Sequence, residues 1–495
     1  MRLRPLEVRF QKRRRGKHRI RMLRVDDAPQ HERALTAAAA EHLQRQDGRG
    51  ISDRKGAPAV FVDDALGVLR FVHADVLLRF HPHVDERQRQ KVLDAHGLQL
   101  RDGSQLSDAR CVVHCKRKQR VGQRLVELAD VLDDVDEVRS CAPHFVSQPV
   151  RSIAAAALPA FSPVRQWHLA QLNVRQAWTL SAGAGVVVAV LDDGVDVDHG
   201  NLRNALAVQP DPTEERDRFG RDFSFVDDDP RHFDPRPKQF AGVHHELATN
   251  DIHGTPCAGL IAARGMLHVG GQRPTVGVAP QCRVLPVRVF SAGSFIADAR
   301  VADAVTYAGR VSDVVSMSFV YSASNDLQAA LDDAAATGRQ GRGCVFVGAV
   351  GNQGLNGFVP WPASSPHVIG VGACTHHGQR AMYSNTGDGL DVYAPSSTDA
   401  EGQDHGIATC DVSHPQRGFA VSAAGQDGLH TTSFSGTSAA APQVAAIAAL
   451  VRAFRPQLQA DQVKQAVVRG VDAIAAHGAD RANAFQALLA AREWD

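Results

Sequence analysis

The sequence predicts an α/β protein: a doubly wound, mostly parallel sheet in the larger C-terminal part, preceded by a small α+β unit. Three patterns carry that reading. From residue 166 onward, short β-branched apolar runs alternate with helical segments, as strands buried on both faces and joined by helical crossovers do. Between residues 60 and 146 the order becomes strand, helix, strand, strand, helix, strand, a recurrent split βαβ arrangement. Near the C-terminus, residues 443–451 are almost wholly apolar and rich in alanine, and a helix apolar on every side belongs inside a domain.

At 495 residues the chain has room for about two to four domains of ~150 residues each. Its 44% hydrophobic and 22% charged residues suit an ordinary globular protein. A net charge of +1 argues against nucleic acid or an anionic membrane as partner. No apolar run approaches the roughly 20 residues that span a bilayer. Eight cysteines in this length do not make a disulfide scaffold, and no close ligand pairs stand at both ends of a zinc module. They read as reduced and buried; Cys111 and Cys115 alternate with apolar neighbours as strand residues do.

Taken in order, residues 1–59 read as a basic tail and a helical segment. Residues 1–24 carry eleven Lys or Arg against one acid. No apolar core of roughly 7–15 residues follows them, so they are not a secretory signal peptide. The stretch reads as a disordered tail in preference to a targeting or anion-binding arm, in a chain that is cytoplasmic or exported without a signal. A helix is expected at 34–43. Within 60–146, strands are expected at 75–80, 98–101, 109–115 and 135–145. A helix at 85–96 is stopped by Gly97, and another at 122–133 carries Leu125, Leu128 and Leu132 on one face. Together these make a ferredoxin-like unit. Residues 147–165, with an alanine run and three prolines, read as a linker. In 166–495, strands are expected at 186–191, 282–290, 311–319, 343–350, 368–374 and 390–394, with helices at 296–309 and 325–337. Residues 211–250 are polar and read as a long surface insertion.

Three stretches carry chemistry. Val186-Val187-Val188-Ala189-Val190-Leu191-Asp192-Asp193-Gly194 describes a buried strand that ends in carboxylates at the edge of a sheet where ligands bind. His253-Gly254-Thr255-Pro256-Cys257-Ala258-Gly259 opens an apolar helical run. Ser433-Phe434-Ser435-Gly436-Thr437-Ser438-Ala439-Ala440-Ala441-Pro442 is a turn delivering Ser438 to the start of the buried helix. Pro442 is tolerated there because its missing N–H breaks no bond in the first turn. A serine at that position can attack a carbonyl while a backbone N–H steadies the oxyanion. A carboxylate, an imidazole and a hydroxyl are the groups of a nucleophilic triad, and Asp–His–Ser is one of its known chain orders.

With Ala349-Val350-Gly351-Asn352, Trp361-Pro362-Ala363-Ser364-Ser365 and Tyr383-Ser384-Asn385-Thr386-Gly387 added, the chain from residue 166 resembles the subtilisin-like serine proteases. The doubled Asp192-Asp193 and the cysteine in the histidine motif lean toward the kexin and proteinase K branches. The resemblance implies Ser438 as nucleophile, His253 as general base and then acid, and Asp192 as the group that orients the imidazole. It implies an oxyanion hole from the Asn352 amide and the Ser438 backbone N–H. It makes 60–146 a prodomain that inhibits its own enzyme, and 147–165 the processing region. Cys257 becomes either a thiol beneath the site or a core residue.

Further implications concern substrate. The resemblance makes Ser318, Phe319, Val320, Ala349 and Gly351 pocket walls. Val289, Ser291, Ala292 and Gly293 become an edge strand that pairs with extended polypeptide. Asp193 faces a basic substrate residue or is a solvated carboxylate. Ala323, Trp361 and Asn385 stand where kexins carry acids, Val320 replaces a common glycine, and Pro360 lies at the pocket floor. Hydrophobic or small side chains are therefore expected to be preferred over basic ones. The Trp361–Pro362 bond is expected to be cis. Asn201 stands where the family has a calcium-ligating Asp, so a structural calcium could bind through its carboxamide oxygen, while the chemistry needs no cofactor. The function implied is endopeptidase cleavage of polypeptides through an acyl-enzyme; the alternative is a binding protein with the fold and no turnover.

Overall fold

The computed structural model describes residues 3–9, 19–25, 59–63, 68–101 and 104–494, apart from 108–109, 116–122, 148–149, 152–165, 209–219, 225–233, 239–250, 266–274, 292–295, 398–405, 414–417, 420–428 and 475–477. The expected helix at 34–43, most of the 147–165 linker and most of the 211–250 insertion lie outside the described residues. The chain divides into two compact units: Met1–Pro149 with Phe295–Asp303 and Tyr321–Ala330, and Val150–Ser294 with Ala304–Val320 and Leu331–Asp495.

In the first unit, β1 (Leu3–Arg9) pairs antiparallel with β2 (Arg19–Val25), β2 with β3 (Ala59–Asp63), and β3 with β4 (Val68–Phe80). The basic N-terminus is thus a hairpin, not the expected disordered tail. The reason is visible in the sequence: Leu6, Val8, Ile20 and Met22 alternate with charged residues, the period of a strand. Then follow α1 (Glu86–His96), β5 (Leu98–Leu100), β6 (Cys111–Cys115), α2 (Gln123–Asp133) and β7 (Val138–Ser147). Helix α1 starts at a reciprocal cap, Asp85 accepting from the Gln88 N–H, and ends at Gly97 in the left-handed region at φ 66°, where glycine carries no Cβ penalty. Strand order β7-β4-β6-β5, antiparallel throughout, is the ferredoxin-like order. Leu125, Leu128 and Leu132 of α2 are buried in its core. Ile296–Ala297 pairs with the end of β7, and the buried Arg79 side chain bonds Asp326 at 2.7 Å. These contacts bring into the first unit two segments that sequence reading gave wholly to the second.

The second unit contains β8 (Val150–Arg151), α3 (Trp167–Gln171), α4 (Val174–Ala177), β9 (Val187–Asp192), β10 (Arg221–Asp222), α5 (Gly254–Ala262) and β11 (Arg283–Arg288). After α6 (Asp298–Val311) come β12 (Val314–Met317), β13 (Phe319–Val320), α7 (Asn325–Gly341), β14 (Val345–Ala349), β15 (Val368–Thr375) and β16 (Val392–Ser397). The last elements are β17 (Ile407–Cys410), β18 (His430–Phe434), α8 (Thr437–Phe454), α9 (Ala460–Arg469), β19 (Val471–Asp472), β20 (Arg481–Ala482) and α10 (Ala484–Ala490). The first turns of α6 and α7 belong to the first unit.

The sheet order is β10-β11-β9-β12-β14-β15-β16-β20-β19, and only the final pair is antiparallel. Strand β9 lies where the order turns back on itself, with β11 on one side and β12 on the other, so its carboxyl end opens on the crevice where doubly wound sheets bind ligands. Helix α8 runs through the core, buried from Thr437 to Arg452. By length and composition it could cross a membrane, yet 89% of it is packed inside the protein. The strand expected at 311–319 is broken at Ser318. Met317 ends the parallel pairing, and Phe319–Val320 turns out to pair antiparallel with Val150–Arg151.

Candidate active site

The site is assembled at the carboxyl end of β9. Asp192, the last strand residue, is 1% exposed and accepts from the Asp193 N–H at 2.8 Å. Its two carboxylate oxygens lie 2.9 and 3.0 Å from His253 Nδ1. His253 is the residue from which α5 springs, and its ring is edge-on to Phe434 at 5.4 Å. Its Nε2 is buried with no hydrogen-bond partner. Helix α5 comes this close because residue 254 is glycine: a Cβ there would strike the Gly194 carbonyl and lie 2.9 Å from Asp192 Cβ.

Ser438 sits in the first turn of α8, after a turn that Gly436 makes at φ 82°. Its Oγ donates to the Ser318 carbonyl at 3.0 Å, and Ser318 Oγ returns a bond to the Ser438 carbonyl at 3.1 Å. The hydroxyl is therefore turned to Ser318, not bonded to the imidazole. Asn352 follows Gly351, whose φ is 97°. Its Oδ1 accepts from both the N–H and the hydroxyl of Thr437 at 2.9 Å, which fixes the amide and leaves Nδ2 buried without a partner. Thr437 Oγ1 in turn accepts from the Gly351 N–H at 3.2 Å. Sequence reading gave Thr437 no role; its place between Gly436 and Ser438 was the available signal.

Cys257 lies below Ser438, its Sγ 3.8 Å from the Ser438 carbonyl. Burial, and then the Asp192 carboxylate, push its thiol well above the ordinary cysteine range, so it is a neutral thiol. All eight cysteines are free. The Trp361–Pro362 bond is cis. Among the walls, Ser318, Phe319, Val320 and Ala349 are buried.

Asp193 is placed otherwise than expected. Asp193 is fully buried, and its carboxylate accepts from the N–H groups of Ile252, His253 and Gly254 at 2.8–3.1 Å. It is not solvated: the N–H of Gly254, first residue of α5, has no partner inside the helix, and Asp193 accepts it together with the N–H groups of the two residues before it. Ser291 turns its hydroxyl to Asp251 at 2.8 Å, into a buried network where Arg288 bonds Asp222 and Asp251 at 2.9 Å each. Sequence reading missed that network, because nothing in its spacing marks Arg288 as buried. Val289 donates its N–H to the Asp192 carbonyl at 2.8 Å; Ala292 and Gly293 lie outside the described residues.

Asn201 does not fit calcium. It is fully buried, and its amide nitrogen is 2.9 Å from His430 Nε2 and 3.4 Å from Thr275 Oγ1. The nearby Asp196 and Asp411 accept the backbone N–H groups of Asp198, Ser413, Val412 and Phe419. Calcium wants some six to eight hard oxygens, and imidazole and thiol surround this amide instead.

Strand order and site geometry together define a subtilisin-like α/β fold. The chain belongs to the subtilase family, whose model matches residues 183–485. A "Calcium-dependent protease" of Trichormus variabilis is 28% identical over 491 residues, covering 92% of this chain and 66% of that protein; this chain thus falls short of that relative's full length. Thermitase of Thermoactinomyces vulgaris is 27% identical, covering 67% of this chain and 98% of its own. Among solved structures, fervidolysin from Fervidobacterium pennivorans shares the fold, with a TM-score of 0.59 at 19% identity, covering 85% of this chain and 61% of its own.

Proposed function

We propose that the chain is a serine endopeptidase, made as a self-inhibited precursor, that cleaves polypeptides through an acyl-enzyme. The observation that carries this is the buried Asp192–His253 pair, whose far nitrogen is unpartnered, set in a fold with Ser438 and the unpartnered Asn352 amide at a helix start. Rotation of the Ser438 hydroxyl from the Ser318 carbonyl to His253 Nε2 gives the imidazole its proton to take. Oγ then attacks the substrate carbonyl, and the Asn352 Nδ2–H and Ser438 N–H hold the oxyanion. His253 passes the proton to the leaving amine, and water later frees the acyl group by the reverse route. Asp192 holds the tautomer with Nδ1 protonated and stabilises the imidazolium.

Two further observations refine the reading. Val150–Arg151 pairs antiparallel with Phe319–Val320, beside the Ser318 carbonyl to which Ser438 is bonded; this is support for a leader that occupies the non-primed substrate strand. Ala349, Val350 and Val320 are buried apolar residues, and Asn385 is engaged with Val350, Gln353 and Leu355. That supports preference for a small or hydrophobic residue before the scissile bond.

Fluorophosphonate labelling and intact mass of wild type beside Ser438→Ala test the proposal. Labelled, shortened wild type with a new N-terminus within 152–165, and unlabelled full-length variant, are expected. Equal masses with no labelling would sink it in favour of a binding protein without turnover.

A further inference from the structure

Among the described residues, a cluster of metal-ligating side chains stands apart from the acid–imidazole pair, wholly within the second unit. Cys410 ends β17 and His430 begins β18, and the two are direct partners in that antiparallel pair. Opposed residues in such a pair share a face, with Cβ atoms about 4.5–5.5 Å apart. His199, on the loop leaving β9, brings its ring edge-on to that of His430, centroids 5.9 Å apart at 88°. One donor atom from each of His199, Cys410 and His430 lies within 4.8 Å of the other two. His199 and Cys410 are fully buried and His430 partly so.

We infer that these three side chains form a binding site for a borderline-soft divalent cation, of which zinc fits best. Two imidazoles and a thiolate are a nitrogen–sulfur set that suits zinc and not the oxygen-seeking calcium or magnesium. The Asn201 backbone N–H donates to His199 Nδ1 at 3.1 Å, His199 Nε2 lies 2.8 Å from the Leu429 carbonyl, and the Asn201 amide nitrogen lies 2.9 Å from His430 Nε2, so an ion entering here would take the place of Asn201 contacts. Zinc bonds of about 2.0–2.3 Å require the donors to close by roughly an ångström. The Asn201 carboxamide, turned over, or a water supplies the fourth ligand. On uptake the Cys410 S–H bond breaks, its proton goes to solvent, and the sulfur's electron pair forms the bond to the ion; no oxidation state changes.

The ion would brace the elements that bear the proposed triad. His199 leaves the strand of Asp192, and β18 leads directly into the turn before Ser438. Cys410 packs so tightly on α5 that a Cβ at Gly259 would lie 2.9 Å from its own.

The test uses full-length Ser438→Ala protein, so that its outcome is independent of proteolysis, titrated with cobalt(II) and then zinc. A thiolate-to-cobalt charge-transfer band with strong tetrahedral visible absorption, saturating stoichiometrically and displaced by zinc, is expected. Cys410→Ser should abolish the band, and Cys257→Ser should leave it. Partly exposed His430→Ala, the change least apt to disturb folding, should weaken cobalt binding by more than about tenfold, the loss that even an outer partner of a metal ligand can cause. Absence of the band in the parent, its survival in Cys410→Ser, its loss in Cys257→Ser, or unchanged affinity in His430→Ala would overturn the assignment.

Discussion

At the scale of single residues, under the proposed function Asn352 does two jobs with two ends of one amide. Its oxygen holds the start of α8 through Thr437, and its nitrogen is left over for an incoming charge. Asn352→Ala should lower kcat by about 10²–10³, the range for losing one oxyanion donor. It should also destabilise by roughly 1–3 kcal/mol, because the Thr437 N–H loses its acceptor. Asn352→Asp separates the two: the acceptor remains, so thermal stability should largely persist while turnover collapses. Equal stability losses in both variants would refute the division. Asp193 teaches the opposite lesson. Sequence could find a carboxylate beside Asp192 but not its direction, and burial against the N–H groups of Ile252, His253 and Gly254 makes it a support of His253.

At the scale of elements, α5 depends on the hydrogen at Gly254 to reach Asp192. Gly254→Ala should cost about 1–3 kcal/mol by overpacking. A shift of ~1 Å in His253 should also cut kcat/KM by about 10²-fold, as denaturant unfolding and steady-state rates would reveal. In α3, His168 is fully buried with both ring nitrogens unpartnered, and burial pushes its pKa down to about 3. Unfolded, it titrates near about 6.5. Between those values the unfolded chain holds a proton the folded one refuses, so stability is full above the upper value and falls on acidification. The slope is at most about 1.4 kcal/mol per pH unit. His168→Phe should flatten the acid side of the stability curve measured by urea unfolding. Elements with strong periodicity, such as β9, α1, α2 and α8, were legible in sequence. The break at Ser318 was not, since it depends on Phe319–Val320 finding a partner far away in the chain. Nor was the N-terminal hairpin, whose charge density masked its alternation.

At the scale of the whole molecule, the alternation of parallel strands and helices from β9 onward, with Asp192 at the end of β9, could be read from the sequence, because parallel sheets impose long apolar runs with helices between them. Unit membership could not. Phe295–Asp303 and Tyr321–Ala330 join the first unit through contacts such as Arg79–Asp326, and no local pattern announces a salt bridge between residues so distant in sequence.

The pairing of Val150–Arg151 with Phe319–Val320 carries a kinetic consequence under the proposed function. A groove already filled by its own covalently tethered occupant is emptied one molecule at a time, with no need for an encounter. The lag before purified, unprocessed protein hydrolyses a peptide reporter should then be the same at every dilution. A lag that shortens as protein concentration rises would mean that neighbours release one another.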